Sequence, residues 1–262
     1  MIRWFTCLND GTEEVRRHIR VAIRSAARFT NIAKYCVFSG HDKDLLAFFD
    51  RYQVHVIPHQ LSFSSILERR CNRTPAHLRI ATGAFLRLDI PEIIYKHGLF
   101  NDSHYLYTDV DVMIKTDLKE LVYRTPEYLD AAPESNPNAT NHFNSGVIWC
   151  NTKNMLATAD ECKRWAADDG FRMEFLDQEL LNDIYGWRRG RLPNEYNWKP
   201  YWGVCQNPQV IHWHGPKPYH IKTWSGLHES VRHAYRSFVV PETMGAYEKY
   251  IEEYDRLAGI QD

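Results

Sequence analysis

The chain has 262 residues, of which 44% are hydrophobic and 25% are charged. This length suffices for one large domain with a substantial core, and no linker rich in Pro, Gly or Ser divides it. Because 32 Lys and Arg residues balance 33 Asp and Glu residues, the net charge of -1 produces no general field that attracts nucleic acid. The composition therefore favours a single domain over 1–262 that has no nucleic-acid partner.

The sequence contains no run of about 18 apolar residues, so it predicts neither a secretory leader nor a transmembrane segment. Six cysteines are scattered through the chain without a Cys-x-x-Cys pair. This spacing argues against a zinc site and against a dense disulfide scaffold. We therefore expect a cytoplasmic protein with free thiols.

The first sixty residues predict alternating strands and helices. Residues 2–7 have the pattern of a buried strand, and Thr12 followed by two glutamates is typical of a helix start. Apolar side chains at helical spacing follow. Strands over 35–38 and 54–58 flank a short helix over 44–49. This order indicates parallel strand pairing with right-handed crossovers.

The middle of the chain leads into the most informative motif. Pro75 precedes a predicted helix over 76–88, and a second helix over 91–96 leads to an apolar strand that starts at His104. This strand runs into the sequence DVD at 109–111. The motif is therefore expected at the carboxyl end of an interior strand, the edge of an open α/β sheet where ligands bind.

The second half of the chain predicts fewer regular elements. A buried strand is expected over 141–151, followed by helices over 153–167 and 177–185. Aromatic loops dominate after that point. Together with the first half, this pattern indicates the α/β class.

The two aspartates of the DVD motif suggest a metal site. In an extended backbone, residues i and i+2 point to the same side, so Asp109 and Asp111 can direct both carboxylates at one point. Oxygen ligands favour Mg²⁺ or Mn²⁺, which commonly bind substrate phosphates as well. An isolated Asp-x-Asp also fits a solvated loop, so other motifs have to distinguish the two interpretations.

Three further segments accompany the aspartates: FNSGV at 143–147, LDQELLN at 176–182 and IHWHGPKP at 211–218. With the DVD motif, their order and spacing resemble the family 8 glycosyltransferases over about residues 1–225. The resemblance implies a metal-dependent retaining enzyme that transfers a hexose from a UDP-sugar. The acceptor would be a hydroxyl of a glycan, a glycolipid or another molecule.

The same resemblance implies a GT-A fold. This fold has a Rossmann-like, mostly parallel central sheet flanked by helices, and a smaller mixed C-terminal region on the acceptor side. Within one domain, residues 1–115 would form the nucleotide-binding half and 116–225 the donor and acceptor half. Residues 226–262 would form a C-terminal helical tail.

In the resembled family, the Asp-x-Asp aspartates and a histidine of an HxxGxxKP segment hold Mn²⁺ at the diphosphate of the UDP-sugar. Asp109 and Asp111 match the aspartates, and His212 matches the histidine when counted from Gly215. This chain has HxxGxKP, one residue shorter. The deletion leaves His214 open as the alternative ligand, since residues i and i+2 of a strand share a face. The implied ion is Mn²⁺ or Mg²⁺.

The resemblance also implies two residues in the reaction itself. Asp177 matches an aspartate that contacts the donor sugar, and Gln178 matches a residue near the anomeric carbon on the face opposite the leaving group. Because a glutamine is a poor nucleophile, same-face substitution through an oxocarbenium-like ion pair is favoured over a covalent intermediate.

Other positions match residues that bind the donor. Lys217 matches a lysine that contacts the diphosphate, Arg87 matches a basic residue that reaches the donor, and Asn144 matches a sugar contact. Asn9 and Asp10 stand where the family binds uracil and ribose. The remaining implied donor-binding residues are Asp109, Val110, Ser145 and Gly215, while Gly146 would let the backbone approach the sugar closely.

Two other functions remain open at this point. One is a catalytically silent module that binds a sugar or a nucleotide. The other is a phosphatase in which the first aspartate of an Asp-x-Asp motif is the nucleophile. That class requires a small hydroxylated residue two positions after the second aspartate, where this chain has Met113.

Overall fold

A central sheet organises the protein, whose computed structural model describes residues 1–70, 75–99, 103–168 and 176–260. The strands in these ranges are β1 (Ile2–Asn9), β2 (Ile32–Ser39), β3 (His55–Pro58), β4 (His104–Thr108), β5 (Val112–Ile114), β6 (Leu129–Pro133), β7 (Phe143–Asn151), β8 (Gly190–Arg191) and β9 (Val210–His212). Seven of them form one sheet in the order β3-β2-β1-β4-β7-β6-β8, and β5 pairs with β9 in a second, small sheet.

The large sheet is mostly parallel. Strands β3, β2, β1 and β4 are parallel neighbours, so their carboxyl ends meet at one edge. Strand β7 runs antiparallel between β4 and β6, and β8 is parallel to β6. The edge formed by the ends of β1 and β4 is the one at which the sequence predicts ligand binding.

Helices cover the sheet. In the described ranges they are α1 (Glu13–Ala26), α2 (Lys43–Arg51), α3 (Ser64–Arg70), α4 (Pro75–Phe85), α5 (Ile90–Lys96), α6 (Thr152–Ala157), α7 (Ala159–Ala167), α8 (Leu176–Tyr185), α9 (Pro218–Lys222), α10 (Glu229–Tyr235) and α11 (Pro241–Ala258). Helix α1 starts as predicted, because the Thr12 side chain accepts a hydrogen bond from the Val15 amide. None of these helices combines the length and apolar character needed to cross a bilayer.

Alternate side chains of β1 enter different cores. Phe5 and Cys7 pack into the core that includes residues of α4, α5 and α8, whereas Trp4 and Leu8 pack into the core that includes residues of α1 and α2. A third core lies around Trp213 and joins the small sheet to α11. Burial of each large apolar side chain contributes about 1.5–3 kcal/mol, so β1 is held firmly from both faces.

The C-terminal part of the chain returns to the first helix. Residues 226–260 contain α10 and α11, and α11 packs against α1. The Tyr254 hydroxyl of α11 lies 2.8 Å from Nδ1 of the buried His18, and the Arg24 guanidinium donates to the Leu257 carbonyl at 2.7 Å. These contacts fix the position of α11 relative to the nucleotide-binding half that the sequence predicts.

The DVD segment departs from the expected geometry. Strand β4 ends at Thr108 and β5 begins at Val112, so 109–111 form a bend between two sheets and not the end of one extended strand. The bend arises because β4 stays between β1 and β7, while β5 turns away to pair antiparallel with β9. In that pairing Val112 lies opposite His212, which brings the histidine motif to the aspartates.

Candidate functional site

The structure brings Asp109, Asp111 and His212 together at the junction of the two sheets. His212 Nε2 lies 3.4 Å from Asp111 Oδ1 and 3.8 Å from Asp109 Oδ2. One donor atom from each residue lies within 4.8 Å of the other two. Carboxylate oxygens suit Mg²⁺ and Mn²⁺, and imidazole suits several first-row divalent ions, so this donor set fits a divalent cation such as Mn²⁺.

The other ring nitrogen of His212 has a buried partner. His212 Nδ1 lies 2.9 Å from Asn197 Oδ1, and Asn197 is fully buried. Because an amide oxygen only accepts hydrogen bonds, Nδ1 carries the proton in this contact, and the lone pair of the neutral ring is on Nε2. Hydrogen bonding of the outer nitrogen is the usual arrangement for a metal-ligating histidine.

Gly146 of β7 passes close to the cluster. A Cβ atom at this position would overlap His212 Cε1 and lie 2.7 Å from Asp109 Oδ2. The Gly146 carbonyl also accepts a hydrogen bond from the Asp109 amide at 2.8 Å. The resemblance to known glycosyltransferases implies that this glycine lets the sugar approach closely. In the structure, the immediate reason for glycine is the close approach of β7 to Asp109 and His212.

Lys217 supplies positive charge beside Asp111. Its ammonium contacts the Asp111 carboxylate and donates to the Trp213 carbonyl at 2.7 Å. Burial opposes the charge on Asp111, but the Lys217 ammonium holds the pKa of Asp111 well below its usual value. Asp111 is therefore an anion at neutral pH, as a metal ligand must be.

Arg87 connects both aspartate motifs from a buried position. Its Nη2 donates to Asp109 Oδ1 at 2.7 Å, and its Nη1 donates to the Ser145 carbonyl at 2.8 Å. The Tyr107 hydroxyl donates to the same Asp109 oxygen at 2.8 Å. Arg87 Nε lies 2.8 Å from Asp177 Oδ2. The guanidinium therefore orients the partly exposed Asp109 and balances its charge and that of the buried Asp177.

Asp177 is buried in the cavity wall with one oxygen free of hydrogen bonds. Although Asp177 Oδ2 lies close to Arg87, it accepts no hydrogen bond from the described residues. Burial raises the pKa of Asp177 to about 6, which Asp109 reinforces and Arg87 opposes. The nearby Arg87 guanidinium therefore stabilises this inward-facing oxygen by its charge.

Gln178 is held by three neighbours. Its Oε1 accepts hydrogen bonds from Asn144 Nδ2 and from the Ser145 amide, each at 3.0 Å. Its Nε2 donates to Glu134 Oε1 at 2.7 Å. The side-chain amide therefore has a defined orientation in the cavity wall, next to Asn144 and Ser145 at the start of β7.

The other predicted residues divide into two groups. Asn9 and Val110 line the cavity, and Asn9 Nδ2 donates to the Arg79 carbonyl at 2.7 Å. Asp10 is not among the residues that line it, because Asp10 Oδ1 accepts hydrogen bonds from the amides of His41 and Asp42. Gly215 is not among them either, and its φ of +79° marks a turn that favours glycine.

His214, the alternative to His212, lies outside the three-residue cluster. Its Nδ1 is 2.8 Å from the Tyr201 hydroxyl, and its Nε2 is 3.7 Å from Glu134 Oε1. Burial, reinforced by His212, lowers the pKa of His214 to about 3, so its ring is neutral at pH 7. Of the two histidines, the structure therefore places His212 with the aspartates.

One cavity of about 650 Å³ lies at the carboxyl ends of β1 and β4, and its wall includes Arg87, Asp109, Asp111, Asp177, Gln178 and Lys217. Pockets of about 300–1,000 Å³ commonly hold small-molecule ligands. Met113, two residues after Asp111, is buried in the core around Trp213. It offers no hydroxyl to the cavity, so the arrangement lacks the group that the phosphatase hypothesis requires.

The sequence analysis does not identify two residues of the site, Asn197 and Glu134. Asn197 lies in a short 3-10 helix in an aromatic stretch, and Glu134 follows directly after β6. Neither belongs to a motif with recognisable spacing. Their roles depend on contacts with His212 and Gln178, which only the folded chain reveals.

No protein-family model matches the sequence, and no curated protein matches it. Solved structures do match. The galactosyltransferase LgtC, determined with donor and acceptor sugar analogues, has a TM-score of 0.66 and 16% identity, and the match covers 100% of this chain and 98% of LgtC. Mouse xyloside xylosyltransferase 1 has a TM-score of 0.56 and 15% identity, covering 81% of this chain and 97% of the mouse protein.

The glycosyltransferase GlyE of Streptococcus pneumoniae has a TM-score of 0.63 and 15% identity. The match covers 97% of this chain, which spans 64% of the length of GlyE. The architecture of the large sheet and its helices agrees with these neighbours. The predicted GT-A fold is therefore confirmed.

Proposed function

We propose that this chain, which has the fold of the GT-A glycosyltransferases, is a metal-dependent retaining glycosyltransferase. It would transfer a hexose from a UDP-sugar to a hydroxyl of a glycan or glycolipid. The observation that carries the proposal is the cluster of Asp109, Asp111 and His212, whose two aspartates line the large cavity while the histidine lies buried behind them. The similarity to LgtC, whose structure contains donor and acceptor sugar analogues, supports a sugar donor and a sugar acceptor.

The residues of the cluster fit a divalent ion. The two carboxylates and His212 Nε2 would hold it, and the hydrogen bond from His212 Nδ1 to Asn197 supports that role for Nε2. A bound divalent ion supplies positive charge that stabilises the departing diphosphate. Lys217 adds a second positive charge at the same place.

The donor sugar would contact Asp177. Asp177 belongs to the cavity wall, where its carboxylate would accept a hydrogen bond from a sugar hydroxyl. Arg87 holds this carboxylate in place and also orients Asp109. The two ends of the donor, sugar and diphosphate, would therefore be positioned by one buried guanidinium.

The arrangement around Gln178 supports substitution on one face of the sugar. Two hydrogen-bond donors occupy Gln178 Oε1, and an amide oxygen is a poor nucleophile even without them. A glycosyl-enzyme intermediate therefore has little support at this position. Gln178 would instead stabilise an oxocarbenium-like ion pair while the acceptor hydroxyl attacks from the face of the leaving group and passes its proton to a phosphate oxygen of the departing UDP. A donor with an α-linked sugar would give an α-linked product.

The nucleotide would extend toward the first strand. Asn9 at the end of β1 and Val110 in the DVD bend both line the cavity, and they are the proposed contacts to the ribose and uracil. Asp10 would act indirectly, because it fixes the loop amides of His41 and Asp42 beside this end of the cavity.

The proposal is tested by measuring UDP release from a panel of UDP-sugars without added acceptor, first with Mn²⁺ and then with excess EDTA. We expect slow, metal-dependent release from one donor, which would also identify the sugar. Asp109→Asn and Asp111→Asn should abolish release. Asp160→Asn, an exposed position in the first turn of α7, is the matched control and should keep the parent rate.

Other outcomes would point to other functions. Full activity of both Asp→Asn variants at the DVD motif would overturn the metal assignment. UDP-sugar binding with neither hydrolysis nor transfer across a broad acceptor panel would favour the silent binding module. Turnover of a generic aryl phosphate would instead support the phosphatase.

A further inference from the structure

Four hydrogen bonds link His212 to Glu134 through three side-chain amides, a chain that we call the amide relay. The distance from His212 Nδ1 to Asn197 Oδ1 is 2.9 Å, and that from Asn197 Nδ2 to Asn144 Oδ1 is also 2.9 Å. Asn144 Nδ2 then lies 3.0 Å from Gln178 Oε1, and Gln178 Nε2 lies 2.7 Å from Glu134 Oε1. The relay thus connects the metal-binding cluster with the residue next to the proposed reaction centre.

The donor and the acceptor of each hydrogen bond in the relay are fixed by neighbouring groups that can only donate or only accept. The Ser145 amide donates to Gln178 Oε1 at 3.0 Å, and the Gly146 amide donates to Asn144 Oδ1 at 3.1 Å. A backbone N–H can only donate, so both amide oxygens are identified. The carboxylate of Glu134 can only accept, which identifies Gln178 Nε2 independently at the other end.

The orientation of Asn197 follows from these anchors. Since Asn144 presents its oxygen, Asn197 must present Nδ2 to it and Oδ1 to His212. His212 therefore donates from Nδ1. The nearby carboxylates of Asp109 and Asp111 would otherwise attract the ring proton to Nε2, the nitrogen 3.4–3.8 Å from them. A proton there would remove the lone pair that binds a metal.

The relay is sheltered from solvent for most of its length. Asn197 is 0% exposed, while Asn144 and His212 are each 2% exposed. Water therefore competes little with these hydrogen bonds, and low polarity strengthens them. The structure thus combines a fixed direction with protection from water.

We infer that Asn197 and Glu134 are positioning residues that set the tautomer of His212 and the orientation of Gln178. The inference rests on the proposed function, in which His212 binds a divalent ion. Asn197 contacts His212 at Nδ1 and not at Nε2, the nitrogen that would bind the metal. Glu134 contacts Gln178 and none of the three cluster residues. Asn197 acts on His212 directly, and Glu134 ends the relay at Gln178.

The first test is a long-range ¹H–¹⁵N correlation spectrum of metal-free protein labelled at histidine. We expect the neutral ring of His212 to carry its proton on Nδ1 in the parent protein. In Asn197→Leu the proton should move to Nε2, toward the carboxylates. Asn194→Leu is the matched control, because Asn194 lies in the same 3-10 helix and bonds to the Pro137 carbonyl, outside the relay. A parent ring protonated on Nε2, or an unchanged ring in Asn197→Leu, would overturn the inference.

The second test is Mn²⁺ affinity at saturating UDP, followed by the electron paramagnetic resonance signal of free Mn²⁺. Asn197→Leu should weaken binding by about 10- to 100-fold, the usual effect of losing such a partner. Glu134→Leu, at the partly exposed end, should weaken it by about two- to fivefold. Glu134→Gln keeps an acceptor oxygen for Gln178 and should restore parent affinity.

Glu134 also pairs with His142, whose Nδ1 lies 2.7 Å from Glu134 Oε2. His142→Ala removes that pair and leaves the relay intact, so its Mn²⁺ affinity should equal that of the parent. If Asn197→Leu does not fold, the Glu134 variants test the inference in its place. A Mn²⁺ affinity of Glu134→Leu equal to that of the parent protein would contradict the relay. If the parent binds no Mn²⁺, the metal part of the proposed function fails, while the tautomer spectrum still tests the inference.

Discussion

The two ends of the cavity are held in different ways. At the end of β1, Asn9 and Asp10 bind backbone groups of neighbouring segments, with few charged partners. At the junction of β4, β5 and β9, buried charged and amide side chains hold one another, as in the contacts of Arg87 with Asp109 and of Lys217 with Asp111. At the proposed metal and sugar end, charged and amide side chains therefore hold one another, whereas at the proposed nucleotide end side chains hold backbone groups of segments distant in the sequence.

The largest effect should come from removing the cation that neutralises the junction. Arg87→Met leaves Asp109 and Asp177 without their shared partner, and breaking such a buried pair costs about 3–5 kcal/mol. The free energy of unfolding in urea measures this loss. Arg16→Met removes a partly exposed ion pair with Asp42 and should cost about 1 kcal/mol or less. Equal losses of unfolding free energy in Arg87→Met and Arg16→Met would show that the two ends of the cavity are held equally strongly.

Gly146→Ala should be the next largest change, because the added methyl group would overlap His212 and crowd Asp109. We expect UDP release to fall by about a hundredfold, which corresponds to about 2.7 kcal/mol of lost stabilisation. Gly245→Ala, where a Cβ meets nothing within 4 Å in the exposed face of α11, should instead gain about 0.5–1 kcal/mol of stability. Parent activity in Gly146→Ala would contradict the requirement for glycine beside His212 and Asp109.

The stability of Asp177→Asn relative to the parent protein should depend on pH, whereas substitution of an exposed acid should show no such dependence. Since the pKa of Asp177 is raised to about 6, the parent fold loses stability as the pH rises through that value, and the asparagine variant does not. Relative to the parent, the variant should therefore gain about 2–3 kcal/mol between pH 4 and pH 7.5. Urea unfolding across this range measures the gain, with Asp160→Asn as the exposed control. A constant difference at all pH values would contradict the assignment.

The smallest effect is expected at the nucleotide end. Asn9→Ala loses one hydrogen bond, to the Arg79 carbonyl, and should reduce stability by about 1 kcal/mol. Calorimetry should show weaker UDP binding and unchanged Mn²⁺ affinity, because Asn9 has no contact with the cluster. Weaker Mn²⁺ binding in this variant would mean that the two ends are coupled more closely than the contacts indicate.

Local patterns predict much of this molecule. The start of α1 at Thr12 follows from capping chemistry, and the position of the DVD motif at the carboxyl end of β4 follows from the order of strands and helices. The resemblance to family 8 glycosyltransferases also implies Asp109, Asp111 and His212, which the structure brings together. These features depend on neighbouring residues or on recognisable spacing.

Other features depend on which segments meet in space. Strands β5 and β9 have three residues each, too few to show a periodic pattern, and their pairing turns the DVD segment into a bend. Asn197 acquires its role only when that pairing places His212 beside it. The requirement for glycine at 146 likewise comes from a steric contact between segments that are distant in the sequence.

The DVD bend has a mechanical consequence. It is the shortest of the covalent connections between the large sheet and the small one, and the small sheet rests on the core that contains Trp213 and α11. A ligand that bridges the bend and His212 fastens the two sheets to each other, so its binding energy opposes their separation. Amides of β9 should then exchange with solvent more slowly in the bound protein, with α11 protected alongside them.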